Sequence, residues 1–243
     1  MKTSDKLQRG WLVNLGKAQY LEVLDLQRTL AQLRHENQVV DHLLVVEHEP
    51  VITLGRRGNT SNILSSPEEL SRLGIQVHQV ERGGDVTYHG PGQLVVYPII
   101  HLSQRDLSLR RFVHLLEETV IVTLADFAIE AGRDEQHRGV WVSDLKIAAL
   151  GVAIRRWVSF HGFAVNVSPD LNHYCHINPC TLGPEHVTSM ESILEKRIEM
   201  EEVRQMLVRR FIELFPGHWC EVSVSDFMKQ RSTRQRRQSA DSP

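Results

Sequence analysis

The chain has 243 residues and a formal net charge of −2 at pH 7, with 41% apolar and 24% charged residues, as in an ordinary globular protein. A charge this close to zero gives no electrostatic basis for binding nucleic acid or a membrane surface, and no apolar stretch is long enough to span a bilayer. The N-terminus lacks the apolar core of a secretory signal, and the three cysteines follow no regular spacing, so we expect a cytoplasmic protein.

The first half of the chain predicts two helices among several strands. Leucines at helical spacing predict a helix from Lys17 to about Asn37. A capping serine, a proline and a glutamate three residues after the serine predict a short helix from Ser66 to Gly74. Apolar runs predict four strands, at residues 43–47, 51–54, 75–80 and 94–100. The last of these is almost continuously apolar, which predicts burial on both faces.

The second half continues the mixture of helices and strands. Ser108 predicts the start of a long helix that ends near Gly132, and a last helix is predicted over residues 199–215. Strands are predicted at residues 139–142, 146–157 and 163–167, the second of them as a hairpin that hinges near Gly151. Because the elements do not alternate regularly as strand, helix, strand, we predict an α/β (α+β) fold with a mixed β-sheet and flanking helices.

Residues 1–216 are expected to form a single domain, and residues 217–243 a C-terminal extension. From about residue 229 this extension is polar and basic, with four arginines close together. A disordered, solvated tail and a contact with an acidic partner both remain open for it.

A glycine-rich segment, RGGDVTYHGPGQ at residues 82–93, lies between two predicted strands. Glycine is needed where the backbone turns sharply or where a ligand approaches the main chain closely. The segment lacks the ending of a phosphate-binding loop, and it does not open a helix as a dinucleotide fingerprint does. Arg82, Thr87, Tyr88 and His89 favour a binding loop over a purely structural turn, because a turn does not require such polar side chains.

Two side chains are candidates for chemistry. Cys180 follows Asn178 and Pro179 in a loop-like stretch. A thiol exposed there and close to a cation is partly thiolate, the nucleophilic form, whereas the alternative is a small buried hydrophobic residue. Lys146 begins an apolar strand of small residues, and it either points into a site or protects a sheet edge.

A cluster of histidines and cysteines offers a different interpretation. His173, Cys175 and His176, together with Cys180 and His186, contain the residue types that bind zinc. The spacing of the two cysteines lies outside the tightest zinc-knuckle pattern, and there is no second Cys-x-x-Cys pair. We therefore expect no metal.

Taken together, the segments between about residues 10 and 215 resemble the lipoyl(octanoyl) transferase family. No single segment is specific, but their order and number are. The resemblance is carried by EPVITLGR (49–56), RGGDVTYHGPGQLVVYP (82–98), GVWV (139–142), KIAALG (146–151), HGFAVNV (161–167) and INPC (177–180).

The resemblance implies the fold of the catalytic domain of lipoate and biotin protein ligases. It implies an enzyme, an acyltransferase, in which Cys180 carries the acyl group as a thioester and Lys146 tunes that cysteine. It places acyl binding on Arg82, Gly83, Gly84, Asp85, Val86, Thr87, Tyr88, His89, Ala149, Leu150, Gly151, Gly162, Phe163 and Ala164. One residue departs from the family pattern: Thr181 stands where members commonly have glycine.

The implied reaction moves octanoyl from octanoyl-acyl carrier protein to a lysine of the lipoyl domains of 2-oxoacid dehydrogenase E2 subunits and of the glycine cleavage H protein. It needs no cofactor, and we expect a monomer. Because these partners are acidic, we expect a basic rim, with candidates at Arg56, Arg57, Arg82, Arg155 and Arg156. Two alternatives stay open: an ATP-dependent lipoate–protein ligase of the same fold, and a zinc-stabilised, non-catalytic binding module.

Overall fold

A computed structural model describes residues 8–179 and 183–229 of the chain. The strands are β1 (Arg9–Ala18), β2 (Asp41–His48), β3 (Val51–Leu54), β4 (Gln76–Gln79), β5 (Val86–His89), β6 (Gln93–Ile99), β7 (Val140–Val142), β8 (Leu145–Arg155), β9 (Val158–Asn166) and β10 (His218–Glu221). The helices are α1 (Tyr20–His35), α2 (Pro67–Arg72), α3 (Leu109–Asp126), α4 (Met190–Leu194) and α5 (Met200–Leu214). Helices flank a mixed sheet, so the predicted fold class is confirmed.

The main sheet has seven strands in the order β10-β1-β2-β6-β9-β8-β7. Strand β1 runs parallel to both of its neighbours, and the remaining pairs are antiparallel. A second sheet has three strands in the order β4-β3-β5. The chain passes from the large sheet to the small one between His48, the end of β2, and Val51, the start of β3.

Helices pack on both faces of the main sheet. Successive side chains of a strand point to opposite faces, so neighbouring residues belong to different apolar clusters. On one face, Leu44 and Val95 pack in a cluster with Leu26 of α1. On the other, Leu43 and Val96 pack in a cluster that includes residues of α3 and α5. This explains why β6 is buried along its whole length, as predicted.

Two helix starts agree with the sequence signals, and one helix end does not. The Ser66 hydroxyl accepts a hydrogen bond from the Glu69 N–H, and that of Ser108 accepts one from Arg111. Helix α3 ends at Asp126 and does not reach Gly132. Ala128 adopts a left-handed φ of 59°, which cannot continue a right-handed helix.

The hairpin predicted near Gly151 is wrong. Strand β8 runs without a break through Gly151, and the turn into β9 lies at Arg156 and Trp157, with φ of 49° and 69°. Two-residue hairpin turns with positive φ favour asparagine and glycine. Since arginine and tryptophan carry no such signal, the turn was predicted at Gly151, the glycine within the predicted strand.

Part of the segment assigned to the C-terminal extension packs with the main sheet. Strand β10 pairs with β1, and Phe227 is buried with its ring 5.8 Å from that of His42. Residues 1–7, 180–182 and 230–243 lie outside the described residues, and so does most of the basic tail. None of the described helices is long and apolar enough to cross a membrane.

Candidate active site

A cavity of about 960 Å³ lies over strands β8 and β9, beneath the glycine-rich segment. Its wall contains Lys146 and, with the exception of Tyr88, all of the residues predicted to bind the acyl group. Pro179, the residue before Cys180, also lines it. Cys180 and Thr181 themselves lie outside the described residues.

Small residues make room for this cavity on the sheet. Ala149 of β8 pairs with Ala164 of β9, and Gly151 pairs with Gly162. Residues that pair directly across two strands lie on the same face of the sheet. These four positions therefore leave a patch of the face without bulky side chains, and this patch forms the floor of the cavity.

The glycine-rich segment is held over the floor by backbone hydrogen bonds on two sides. The N–H of Gly83 donates to the carbonyl oxygen of Val152 at 2.9 Å. From the other side, the N–H of Arg57 donates to Gly84 at 3.1 Å, and that of Gly55 donates to Asp85 at 3.0 Å. The segment thus bridges the main sheet and the small sheet as a fixed roof.

Arg82 anchors this roof and is buried rather than exposed at the rim. Its Nε donates to the hydroxyl of Thr53 at 3.1 Å, and its Nη2 donates to the Thr53 carbonyl oxygen at 2.6 Å. The side chain lines the cavity and is 7% exposed. The prediction that Arg82 belongs to a basic rim is therefore wrong, because its guanidinium is buried and hydrogen-bonded to Thr53.

Alternation along β5 separates Thr87 and His89 from Tyr88, which lies between them in the strand. Thr87 and His89 line the cavity. Tyr88 points to the opposite face of the small sheet, where its hydroxyl is hydrogen-bonded to His173 Nδ1 at 2.6 Å. The structure therefore does not bring the Tyr88 side chain to the cavity.

Two buried histidines lie together at the cavity wall, with the ring centres of His48 and His89 6.1 Å apart. Burial lowers the pKa of His89 to about 3 and that of His48 to about 4. His48 Nδ1 lies 2.9 Å from the carbonyl oxygen of Ala18 and must donate to it, so its Nε2 accepts a hydrogen bond from the Tyr97 hydroxyl at 2.8 Å. This part of the wall thus presents polar but uncharged groups.

Lys146 enters the cavity from the start of β8. It is buried, with 9% of its surface exposed, and its Nζ lies 4.7 Å from the centre of the Trp141 ring, a cation–π distance. Gly139 passes close to its aliphatic chain with a φ of +135°. The sequence left two roles open for this lysine, and the structure places it in the wall of the cavity.

The segment that carries Cys180 is fixed on both sides. Before it, the N–H of Asn178 donates to the carbonyl oxygen of Asn62 at 2.8 Å. After it, the N–H of Gly183 donates to Asn178 Oδ1 at 3.2 Å, and the N–H of Thr188 donates to the carbonyl oxygen of Lys146 at 3.0 Å. The chain before Cys180 is thereby tied to Asn62 and the chain after it to β8, and Pro179 and Val187 of these two flanks line the cavity.

The histidines of the zinc interpretation have other partners. Nδ1 of His173 is bonded to Tyr88, and Nδ1 of His176 is bonded to the Ser65 hydroxyl at 2.7 Å. Within residues 8–179 and 183–229, no three histidine, cysteine or acidic side chains are grouped as a metal site.

Several lining residues were not singled out from the sequence, among them Tyr20, Tyr97, Asn166 and Tyr174. Asn166 lies within a segment that carries the family resemblance, and its polar side chain in an apolar strand was an available signal. Tyr20 reaches the cavity from the first turn of α1, which nothing in the sequence connects to the glycine-rich segment.

Comparisons with known proteins show the family to which the chain belongs. Residues 19–212 match the family model of the lipoyl protein ligase A/B catalytic domain. The chain belongs to this family. An octanoyltransferase of Syntrophobacter fumaroxidans is 46% identical over 90% of this chain and 96% of its own length. One from Caldicellulosiruptor bescii is 47% identical over 83% of this chain and 89% of its own. As a member of the family with relatives this similar, the chain is an acyltransferase.

Solved structures of the family share the fold. Lipoate-protein ligase A bound with ATP has a TM-score of 0.70 at 17% identity, and the match covers 90% of this chain and 89% of the other. A bipartite archaeal lipoate protein ligase from Thermoplasma acidophilum also has a TM-score of 0.70, at 18% identity over 89% and 88% of the two chains. At these identities the likeness concerns the fold alone.

Proposed function

We propose that this acyltransferase moves an octanoyl group from octanoyl-acyl carrier protein to a lysine of lipoyl domains, with Cys180 carrying the group as a thioester. The observation that carries the proposal is that Lys146 and Pro179, the neighbour of Cys180, line one cavity with a floor of small residues. That cavity offers a slot for an aliphatic chain, whose burial contributes about 0.8 kcal/mol per methylene. The octanoyltransferase relatives support the choice of acyl group.

In the first step, Lys146 as an ammonium stabilises the Cys180 thiolate, which attacks the thioester carbonyl of the donor. A new carbon–sulfur bond forms, and the bond to the pantetheine sulfur breaks. The departing pantetheine thiolate takes the proton from the Lys146 ammonium. Because one thioester replaces another, the step needs no ATP.

In the second step, Lys146 is neutral and acts as the base. It accepts a proton from the attacking lysine of the lipoyl domain as that amine adds to the acyl carbonyl. The bond to the cysteine sulfur then breaks, which yields an amide and regenerates the thiolate beside an ammonium. The position of Lys146 in the wall of the cavity, together with Pro179, supports this double role.

Three exposed arginines around the cavity suit an acidic donor protein. Arg57 follows β3, Arg110 lies in the first turn of α3, and Arg138 precedes β7, and all three line the cavity. By contrast, Arg155 and Arg156 lie at the opposite end of β8 from Lys146. We propose that Arg57, Arg110 and Arg138 form the basic rim that meets acyl carrier protein.

The test is intact mass spectrometry of the purified chain after mixing with octanoyl-acyl carrier protein in the absence of nucleotide. We expect one octanoyl adduct, which is lost in Cys180→Ala. An adduct that persists in that variant and maps to Cys175 would contradict the assignment of the nucleophile. A strict need for ATP with free octanoate as donor would make the chain a ligase.

A further inference from the structure

A line of hydrogen bonds runs along one wall of the cavity from His89 to Thr188. His89 Nδ1 donates to Gln93 Oε1 at 3.1 Å, and Gln93 Nε2 donates to the Tyr174 hydroxyl at 2.9 Å. Tyr174 in turn donates to Asn166 Oδ1 at 3.3 Å, and Asn166 Nδ2 donates to the carbonyl oxygen of Thr188 at 2.8 Å. Each bond points the same way along the line.

The direction of these bonds does not change over the working pH range. Burial raises the pKa of Tyr174 to about 12, so its hydroxyl keeps the proton that it donates. Burial also lowers the pKa of His89 to about 3, so the ring stays neutral with its hydrogen on Nδ1. A buried polar network in which every member is satisfied fixes one arrangement of the side chains.

Tyr174 and Asn166 join the two ends of the segment that carries Cys180. Tyr174 belongs to the short helical turn Leu171–His176 that precedes this segment, and Thr188 follows it. Asn166, at the end of β9, holds both through the two ends of its amide. The N–H of Thr188 also donates to the backbone carbonyl oxygen of Lys146. The line of hydrogen bonds therefore connects the chain that follows Cys180 to β8, the strand of Lys146.

We propose that Tyr174 and Asn166 are positioning residues for the acyl transfer, which hold the described flanks of the Cys180 segment, at Tyr174 and Thr188, against β9 and the strand of Lys146. The inference rests on the proposed function. Both residues line the cavity, and their hydrogen bonds tie Tyr174, which precedes that segment, and Thr188, which follows it, to Asn166 of β9. Tying both flanks reduces the number of conformations open to the chain between them, and a misplacement of about 1 Å in an active site costs about 100-fold in rate.

The test compares Tyr174→Phe and Asn166→Ala with the control Ser159→Ala. Ser159 lies on β9 like Asn166, and its buried hydroxyl donates to the Pro98 carbonyl oxygen, but it does not line the cavity. Alkylation of Cys180 by iodoacetamide, followed by peptide mass mapping, reports the thiol directly and needs no acyl donor. Acylation by octanoyl-acyl carrier protein and thermal unfolding are measured on the same preparations.

We expect both test variants to raise the pH midpoint of Cys180 alkylation toward about 8.5, the value of a free thiol. The kcat of acylation should fall at least tenfold while the KM for the donor changes less than twofold. The control should lower the melting temperature and leave the midpoint and kcat as in the wild type.

The proposal is overturned if the two test variants lower the melting temperature but leave the pH midpoint of Cys180 alkylation and the kcat of acylation unchanged. Tyr174 and Asn166 would then contribute only to packing. Tyr174→Phe keeps the ring and decides the question even if Asn166→Ala fails to fold. Failure of the proposed function is separate, because it shows as a wild-type chain that forms no octanoyl adduct.

Discussion

The N–H of Gly83 donates to the carbonyl oxygen of Val152 at 2.9 Å, which brings the roof of the cavity onto its floor strand. Gly151 makes this approach possible. A Cβ at Gly151 would lie 2.9 Å from the carbonyl oxygen of Gly83 and 3.1 Å from Cδ of Arg82. The absence of a side chain at one residue of β8 therefore sets the height of the cavity.

We predict that Gly151→Ala displaces the roof and lowers kcat/KM for octanoyl-acyl carrier protein about tenfold, the loss expected for about 1.4 kcal/mol. Gly132→Ala is the matched control, because a Cβ there meets nothing within 4 Å. Steady-state transfer to a lipoyl domain measures both. Equal kcat/KM values for the two variants would contradict this prediction, because they would show that the roof can move away from β8 without loss of activity.

A second prediction concerns the basic rim. Changing Arg57, Arg110 and Arg138 together to alanine should lower kcat/KM for octanoyl-acyl carrier protein about tenfold at low salt, since exposed ion pairs contribute up to about 1 kcal/mol each. The rate with octanoyl-pantetheine, which has no protein part, should stay the same. Salt should narrow the difference between variant and wild type, because it screens exposed charges.

The control for the rim removes the same charge elsewhere, at the exposed Arg72, Arg197 and Arg209. If both triple variants lose activity equally with acyl carrier protein, net charge rather than the rim governs the encounter.

Residues that line the cavity could be predicted from the sequence where they lie in short contiguous segments. The prediction of the turn failed because glycine occurs both in turns and where two backbones approach closely. Gly151 marks a close approach of two backbones, but the same residue type also marks turns, so the hairpin was placed there. The real turn at Arg156 and Trp157 has no turn residue. Tyr20 reaches the cavity only because α1 packs across the sheet, a tertiary contact that periodicity does not contain.

A third prediction uses the buried His48, whose pKa lies at about 4 in the folded chain and near 6.5 when unfolded. Below pH 6.5 the unfolded state binds a proton that the folded state does not, so stability falls as the pH drops toward 4. At pH 5 this one residue lowers the free energy of unfolding by about 2 kcal/mol relative to pH 7.5.

Urea unfolding at the two pH values measures this effect. In His48→Gln the loss between pH 7.5 and pH 5 should shrink by about 2 kcal/mol. The same loss in His48→Gln as in the wild type would mean that His48 is protonated within the folded chain.

The last prediction tests the coupling of Lys146 to Cys180. If the Lys146 ammonium stabilises the thiolate, Lys146→Ala should raise the pH midpoint of Cys180 alkylation toward about 8.5, and each unit of that rise corresponds to about 1.4 kcal/mol of lost pairing. Once acylated, the variant should also transfer slowly to the lipoyl domain, because the attacking amine has lost its base. Lys146→Arg separates the two roles, since arginine keeps the positive charge but does not deprotonate at working pH.

We therefore expect Lys146→Arg to recover part of the acylation rate and little of the transfer rate. Single-turnover measurements separate the two steps: the first follows the appearance of the octanoyl adduct, and the second follows its decay when a lipoyl domain is added. Lys146 lies over the Trp141 ring in the cavity wall, so Trp141→Leu serves as a control for loss of packing around the lysine without loss of its amine. An alkylation profile that is the same in wild type and Lys146→Ala would show that the two side chains are not coupled, and Lys146 would then act only as a buried cation of the wall.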